Sequence, residues 1–119
     1  MPINKTTGYG QIRISDNAIA SIAGSAVIEC YGVVGVTPKN PIKDGFNDLL
    51  KKENYSKGVI VRNKNGILDI DLFIIVCYGV KISEVVNEAQ KRVKYNLEKN
   101  LNMDINSVNV YVEGIKVVD

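Results

Sequence analysis

The dipeptide Asn65-Gly66 stands between two apolar runs and leaves the chain few ways to continue. Both central positions of a type I′ turn need positive φ, which Asn and Gly adopt at least cost, so the pair marks a two-residue β-hairpin. With that turn Lys64 faces Ile67, and the register runs outward through Arg62 opposite Asp69, Val61 opposite Ile70 and Val59 opposite Leu72. Opposite charges and apolar side chains fall into a single register, and cross-strand pairs of both kinds stabilise a hairpin. The second strand carries Leu68, Ile70, Leu72, Ile74 and Val76 on one face. Its other face begins with Asp69 and Asp71 but continues as Phe73, Ile75 and Cys77. Half of this strand is therefore apolar on both sides, and its second face needs a cover, from its own chain or from a partner.

The elements around the hairpin follow from period and punctuation. Tyr9 to Ile14 reads as a short strand, with Ile12 and Ile14 on one face and Gln11 and Arg13 on the other. Ser15 or Asp16 offers an N-cap for a helix whose apolar stripe is Ile19, Ile22, Ala23, Ala26, Val27 and Cys30. Gly32 suits the C′ position that ends it. Val33 to Val36 gives a brief strand, and Asn40-Pro41 is an N-cap and N1 pair for a short helix burying Ile42, Phe46, Leu49 and Leu50. After Gly79 the spacing predicts the longest helix, from about Ser83 to Leu101, with Val86, Ala89, Val93 and Leu97 buried and Glu88 paired to Arg92. Val108, Val110 and Val112 alternate with Asn109, Tyr111 and Glu113 in a last strand. This order implies one α+β domain over residues 1–119. It is a two-layer sandwich with a twisted mixed sheet of about four to five strands, and two main helices and one short helix on one face.

Composition excludes more than it assigns. The chain has 119 residues, a net charge of +2 and no histidine, so the commonest general base and the commonest zinc ligand are both missing. The charge is too small to imply nucleic-acid binding. No run of about 18 apolar residues is present, so no membrane span is expected, and MPINKTTGYG carries no apolar signal-peptide core. Two cysteines cannot make a disulfide framework and fit a reducing cytoplasm. Both stand in the word CYGV, at Cys30–Val33 and at Cys77–Val80. The first ends a helix and the second a strand, which puts the sheet between the two sulfurs and argues against a disulfide or a shared metal.

Three patterns invite chemistry. Asp69 and Asp71 share a strand face and could in principle hold a divalent metal, but a solvated face with Asp69 paired to Arg62 is the preferred reading. Gly32-Val-Val-Gly35 has the spacing of a nucleic-acid-clamping GXXG loop, yet its inner residues are valines and Val36-Thr37-Pro38 follows. Lys39, Lys43, Lys51 and Lys52 cluster around the short helix as a candidate basic patch, diluted by Asp44, Asp48 and Glu53. No catalytic, cofactor-binding or metal-binding residue is assigned.

The chain resembles the alkaline shock protein 23 family of bacterial envelope stress response proteins, specifically its small stand-alone members. The resemblance rests on YGQIRIS (9–15), IASIAG (19–24), CYGVVGV (30–36), KNPIKDG (39–45), DIDLFIIVCYGVKISEV (69–85) and SVNVYVEGI (107–115), in order along the whole chain. It implies a cytoplasmic α+β domain without known catalysis. Some members self-associate and sit beneath the membrane through a membrane-anchored partner, and several are encoded beside a kinase-like protein. The leading expectation is a scaffold that forms homo-oligomers and binds partners, without cofactor and without nucleic acid. Its candidate contact surface is Tyr9, Phe73, Ile75, Cys77 and Tyr111, and Phe73→Asp is then expected to favour monomer with little loss of folding. Two alternatives stand beside it. One is an accessory or ligand-carrying subunit working with the kinase-like neighbour, and the other is a nucleic-acid module using the Gly32–Gly35 turn and the nearby lysines.

Overall fold

The computed structural model describes residues 3–38 and 58–117. Eight elements follow in order: β1 (Ile3–Thr7), β2 (Gly10–Ile14), α1 (Asp16–Ile28), β3 (Val33–Val36), β4 (Val59–Lys64), β5 (Ile67–Cys77), α2 (Ile82–Leu101) and β6 (Asp104–Lys116). The α+β class is as expected. The short helix after Asn40-Pro41 and the lysines Lys39, Lys43, Lys51 and Lys52 lie outside the described residues.

The Asn65-Gly66 turn has φ of 55° and 84°, the double positive φ of a type I′ turn. β4 and β5 pair antiparallel in the register read from the sequence, from Lys64↔Ile67 out to Val59↔Leu72. β5 is the central strand. β3 pairs antiparallel with its second half (Val36↔Ile74, Val33↔Val76), β4 with its first half, and β6 runs parallel along its whole length. Since β6 occupies one edge of β5, β3 and β4 share the other edge end to end. The chain leaves that edge at Thr37, whose N–H donates to the Phe73 carbonyl at 2.9 Å, and returns at Gly58. The two ends touch: a Cβ on Gly58 would strike Val36 Cγ1 and lie 2.8 Å from the Thr37 carbonyl oxygen.

The helices cover one face of the sheet. Leu68, Ile70, Leu72, Ile74 and Val76 are fully buried there, each contributing about 1.5–3 kcal/mol. They pack with Ile19, Ala23 and Val27 of α1 and with Ala89, Val93 and Leu97 of α2. Ser15 caps α1, its Oγ accepting the Ala18 N–H at 3.1 Å, and Ala20, Ala23, Gly24 and Ala26 give it a slim buried face. On α2 the buried line is Val85, Ala89, Val93, Leu97 and Leu101, and Val86 is only half-buried. The expected Glu88–Arg92 pair is formed at 3.5 Å. Asn102 ends α2 in the left-handed conformation.

Two boundaries differ from expectation. β1 pairs with β2 as a separate two-stranded sheet turning at Gly8-Tyr9. Gly32 does not cap α1, because the helix stops earlier with Glu29 as a right-handed C-cap. The Val33 N–H then donates to the Cys30 carbonyl at 3.2 Å, closing a turn whose third residue is Gly32 at φ 91°. A positive φ at that position is what a type II turn demands.

Candidate functional site

The face of the sheet opposite the helices divides into a polar half and an aromatic half. On the polar half, Asp71 Oδ1 accepts from the Arg62 guanidinium at 2.9 Å and from Asn109 Nδ2 at 2.9 Å. Asp69 Oδ1 accepts from Ser107 Oγ at 2.6 Å and Asn106 Nδ2 at 2.9 Å. The expected Arg62–Asp69 pair is thus replaced by a diagonal one to Asp71. Asp69 has donors of its own from a β-bulge in β6: Leu68 is opposite Ile105 and Asp69 opposite Ser107, so Asn106 is an extra residue that brings a second donor to Asp69. These two hydrogen bonds, Ser107 first, hold the Asp69 carboxyl below its ordinary 3.8. Asp69 and Asp71 are therefore occupied as acceptors in a polar ladder across β4, β5 and β6. Among the described residues no group of three or more Cys, Asp or Glu side chains converges as a metal site would require.

On the aromatic half, Phe73 and Tyr111 are register partners and stack at 5.1 Å between ring centroids with 15° between planes. Phe73 is 5% and Ile75 2% exposed, although neither belongs to the core under the helices. The second face of β5 is thus covered within the chain, and these two side chains are not open to a partner. Phe73→Asp would place a carboxylate in a buried position, so it tests folding before it tests association. Of the other residues expected there, Tyr9 and Tyr111 are exposed and Cys77 is half-buried, its Sγ 3.5 Å from the Tyr78 carbonyl. Cys30 is buried on the helix side, where desolvation pushes its thiol pKa above the ordinary 9.0. The sheet separates the two free thiols.

The two CYGV words meet at one end of the sheet. The Cys77 N–H donates to the Gly32 carbonyl at 2.8 Å, and the Tyr78 N–H donates to the Lys116 carbonyl at 2.8 Å. A Cβ on Gly32 would lie 2.8 Å from Val85 Cγ2 and 3.4 Å from Val80 Cγ1, so β3, the second turn and α2 close on one point. Tyr31 and Tyr78 point outward, and Ile82, Ile115 and Val117 are exposed at the same end. Two shallow grooves of about 460 and 360 Å³ adjoin there, sharing Tyr31 and Val80 as walls. One is lined further by Lys81, Glu84 and Glu88, the other by Val33, Val34 and Cys77. Sequence reading missed this juxtaposition, for which the repeated word itself was the only signal. The GXXG spacing is not a loop: Gly35 is buried in β3 opposite Ile75, so its amide does not face a phosphate.

Comparison with known proteins agrees with the resemblance. The alkaline shock protein 23 family, described as having a cell envelope-related function, matches residues 4–117. The chain is 48% identical over 119 residues to YloU of Bacillus subtilis (strain 168), an uncharacterized protein, covering 100% of this chain and 99% of that one. It is 47% identical over 118 residues to the uncharacterized protein Spy1614 of Streptococcus pyogenes serotype M6, covering 99% and 98%. It is 28% identical to the uncharacterized protein YqhY of B. subtilis, covering 95% and 82%. No solved structure matches significantly.

Proposed function

The chain belongs to the alkaline shock protein 23 family, and from that membership we propose that it is a non-catalytic interaction protein of the cell envelope, acting through self-association and partner binding. The observation that carries this reading is the end of the sheet where Tyr31, Tyr78, Ile82, Ile115 and Val117 are exposed together. Contiguous exposed apolar surface marks a contact site, and tyrosine suits one because its rigid ring gives area and its hydroxyl tolerates water. The grooves beside it are open rather than enclosed, which fits a protein surface better than a small-molecule pocket. Among the described residues no helix is long and apolar enough to cross a membrane.

Proximity labelling in the native host, with the wild type against Tyr31→Ser/Tyr78→Ser, tests the reading. Both tyrosines are exposed, so the variant should keep the wild-type melting curve while losing a defined set of envelope proteins. Enrichment of the same proteins by the folded variant, or of none above an unrelated cytoplasmic control, would reject this end as the contact.

A further inference from the structure

The free edge of β6 matches itself. β6 pairs with β5 on one side, and among the described residues no strand pairs with its other side. The backbone phase fixes which groups point outward. The Cys77 N–H and the Phe73 carbonyl face β3, whereas the Tyr78 N–H faces β6 through the Lys116 carbonyl. Carried along the parallel ladder, this turns the amides and carbonyls of Ser107, Asn109, Tyr111, Gly114 and Lys116 toward β5. Those of Ile105, Val108, Val110, Val112 and Ile115 are turned to the open edge. The Gln90 side chain confirms the phase independently, since its Nε2 donates to the outward Val108 carbonyl at 3.0 Å.

We infer that this edge pairs with the same edge of a second copy, antiparallel, about a two-fold axis at Val110. In that register Val108 meets Val112 of the second copy and Ile105 meets Ile115. Asp104 meets Lys116, so an opposite-charge pair closes each end. The bulges obey the same symmetry. Asn106 and Glu113 are the two residues of β6 that are extra relative to β5. About Val110, the segment Asn106-Ser107 falls opposite Glu113-Gly114 of the second copy, two residues against two. The extra residues cancel, and the pairing stays in register through both irregularities, which an unrelated strand would not achieve. Gln90 meanwhile satisfies the Val108 carbonyl, and it swings aside when the Val112 N–H of the second copy arrives. The inference rests on the self-association proposed above and supplies its surface, a strand edge that runs into the tyrosine-bearing end at Ile115 and Lys116.

Sedimentation velocity of the full chain over a concentration series tests it with three variants. Val110→Pro removes an outward N–H that β5 does not use, so the monomer should tolerate it while the dimer is lost. Asp104→Lys sets like charges opposite Lys116 at both symmetric ends and should weaken the dimer by about tenfold or more. Asp104→Lys/Lys116→Asp restores the opposite pairing and should restore the dimer. Should Val110→Pro fail to fold, the charge swap decides alone. A wild type that dimerises equally well with Val110→Pro, or a charge swap that does not rescue, overturns the edge and leaves self-association standing. Association beyond a dimer that persists in these variants likewise assigns the contact elsewhere. A wild type that stays monomeric throughout overturns both the edge and the self-association reading.

Discussion

Gly32 and Gly79 occupy the same place in the two CYGV words and have nearly the same φ, 91° and 94°, yet replacing them by alanine should cost different amounts. Both substitutions force an L-residue into a conformation it avoids, at about 1–2 kcal/mol. At Gly79 nothing else happens, because no atom lies within 4 Å of the added Cβ. At Gly32 the Cβ lands 2.8 Å from Val85 Cγ2, with both γ-methyls of Val80 at 3.4 and 3.5 Å behind it. Carbon contacts settle near 3.5–4.0 Å, so Val85 must retreat by roughly 1 Å. It is buried on α2, and a β-branched side chain in a helix has one strongly preferred rotamer. Overpacking of this kind adds about 1–3 kcal/mol. Gly32→Ala should therefore destabilise by roughly 2–5 kcal/mol and Gly79→Ala by about 1–2 kcal/mol. Urea unfolding followed by circular dichroism measures both, with unchanged m-values as the check on two-state behaviour.

The contact part of that difference can be isolated. Val85→Ala removes the γ-methyl that the new Cβ strikes, so Gly32→Ala/Val85→Ala should be more stable than additivity allows, by about 1–2 kcal/mol. Equal costs at the two glycines, or an additive cycle, would refute the idea that Gly32 is held by the approach of α2 as well as by its turn.

Two further outcomes are expected. Ser107→Ala removes the largest cause of the lowered Asp69 pKa, so carboxyl NMR should show Asp69 titrating closer to 3.8. The folded value lies below the unfolded one. The wild type therefore holds this stabilisation above about pH 3.8 and loses it as pH falls through the folded value. An unchanged Asp69 titration would remove Ser107 as the cause. A thiol reagent at mildly alkaline pH should modify Cys77 in the native protein, and Cys30 only after unfolding, since burial keeps Cys30 protonated. Equal rates, or fewer than two thiols in unreduced denatured protein, would contradict the placement of the sheet between them.

What the sequence disclosed was local. Asn65-Gly66 specifies its own turn, and once the turn is fixed the two-residue period assigns every pair from Lys64↔Ile67 to Val59↔Leu72. The stripe of α1 and the Ser15 cap are legible for the same reason, each being set within about one turn of helix. Contacts closed across long loops were not legible. Nothing near Val33 or Val59 says that the two strands share one edge of β5, because that depends on β6 taking the other. The bulge at Asn106 is invisible in an alternating pattern, and it brings Asp69 a second donor while Arg62 bonds Asp71. β1 was missed because Ile3-Asn4-Lys5-Thr6-Thr7 holds one apolar residue and so gives no period to read. The apolar second face of β5 was seen correctly, but whether its own chain covered it could not be decided from a strand pattern.

The same wiring relates the proposed contacts to one another. β6 ends beside the second CYGV turn, through the bond from the Tyr78 N–H to the Lys116 carbonyl, so the tyrosine end and the end of the free edge coincide. Antiparallel pairing about Val110 sets Lys116 of one copy beside Asp104 of the other, which turns the two tyrosine ends in opposite directions. The strand between Asp104 and Lys116 spans about 40 Å at roughly 3.3 Å per residue, and this sets the scale of their separation. A dimer built this way presents two identical contact ends that cannot reach the same small partner, yet can engage two partners held on one surface. Simultaneous engagement multiplies apparent affinity without any new contact, so weak binding at each tyrosine end would suffice for stable attachment to a surface rich in partner. Loss of the β6 pairing should then weaken attachment to that surface far more than binding to the isolated partner.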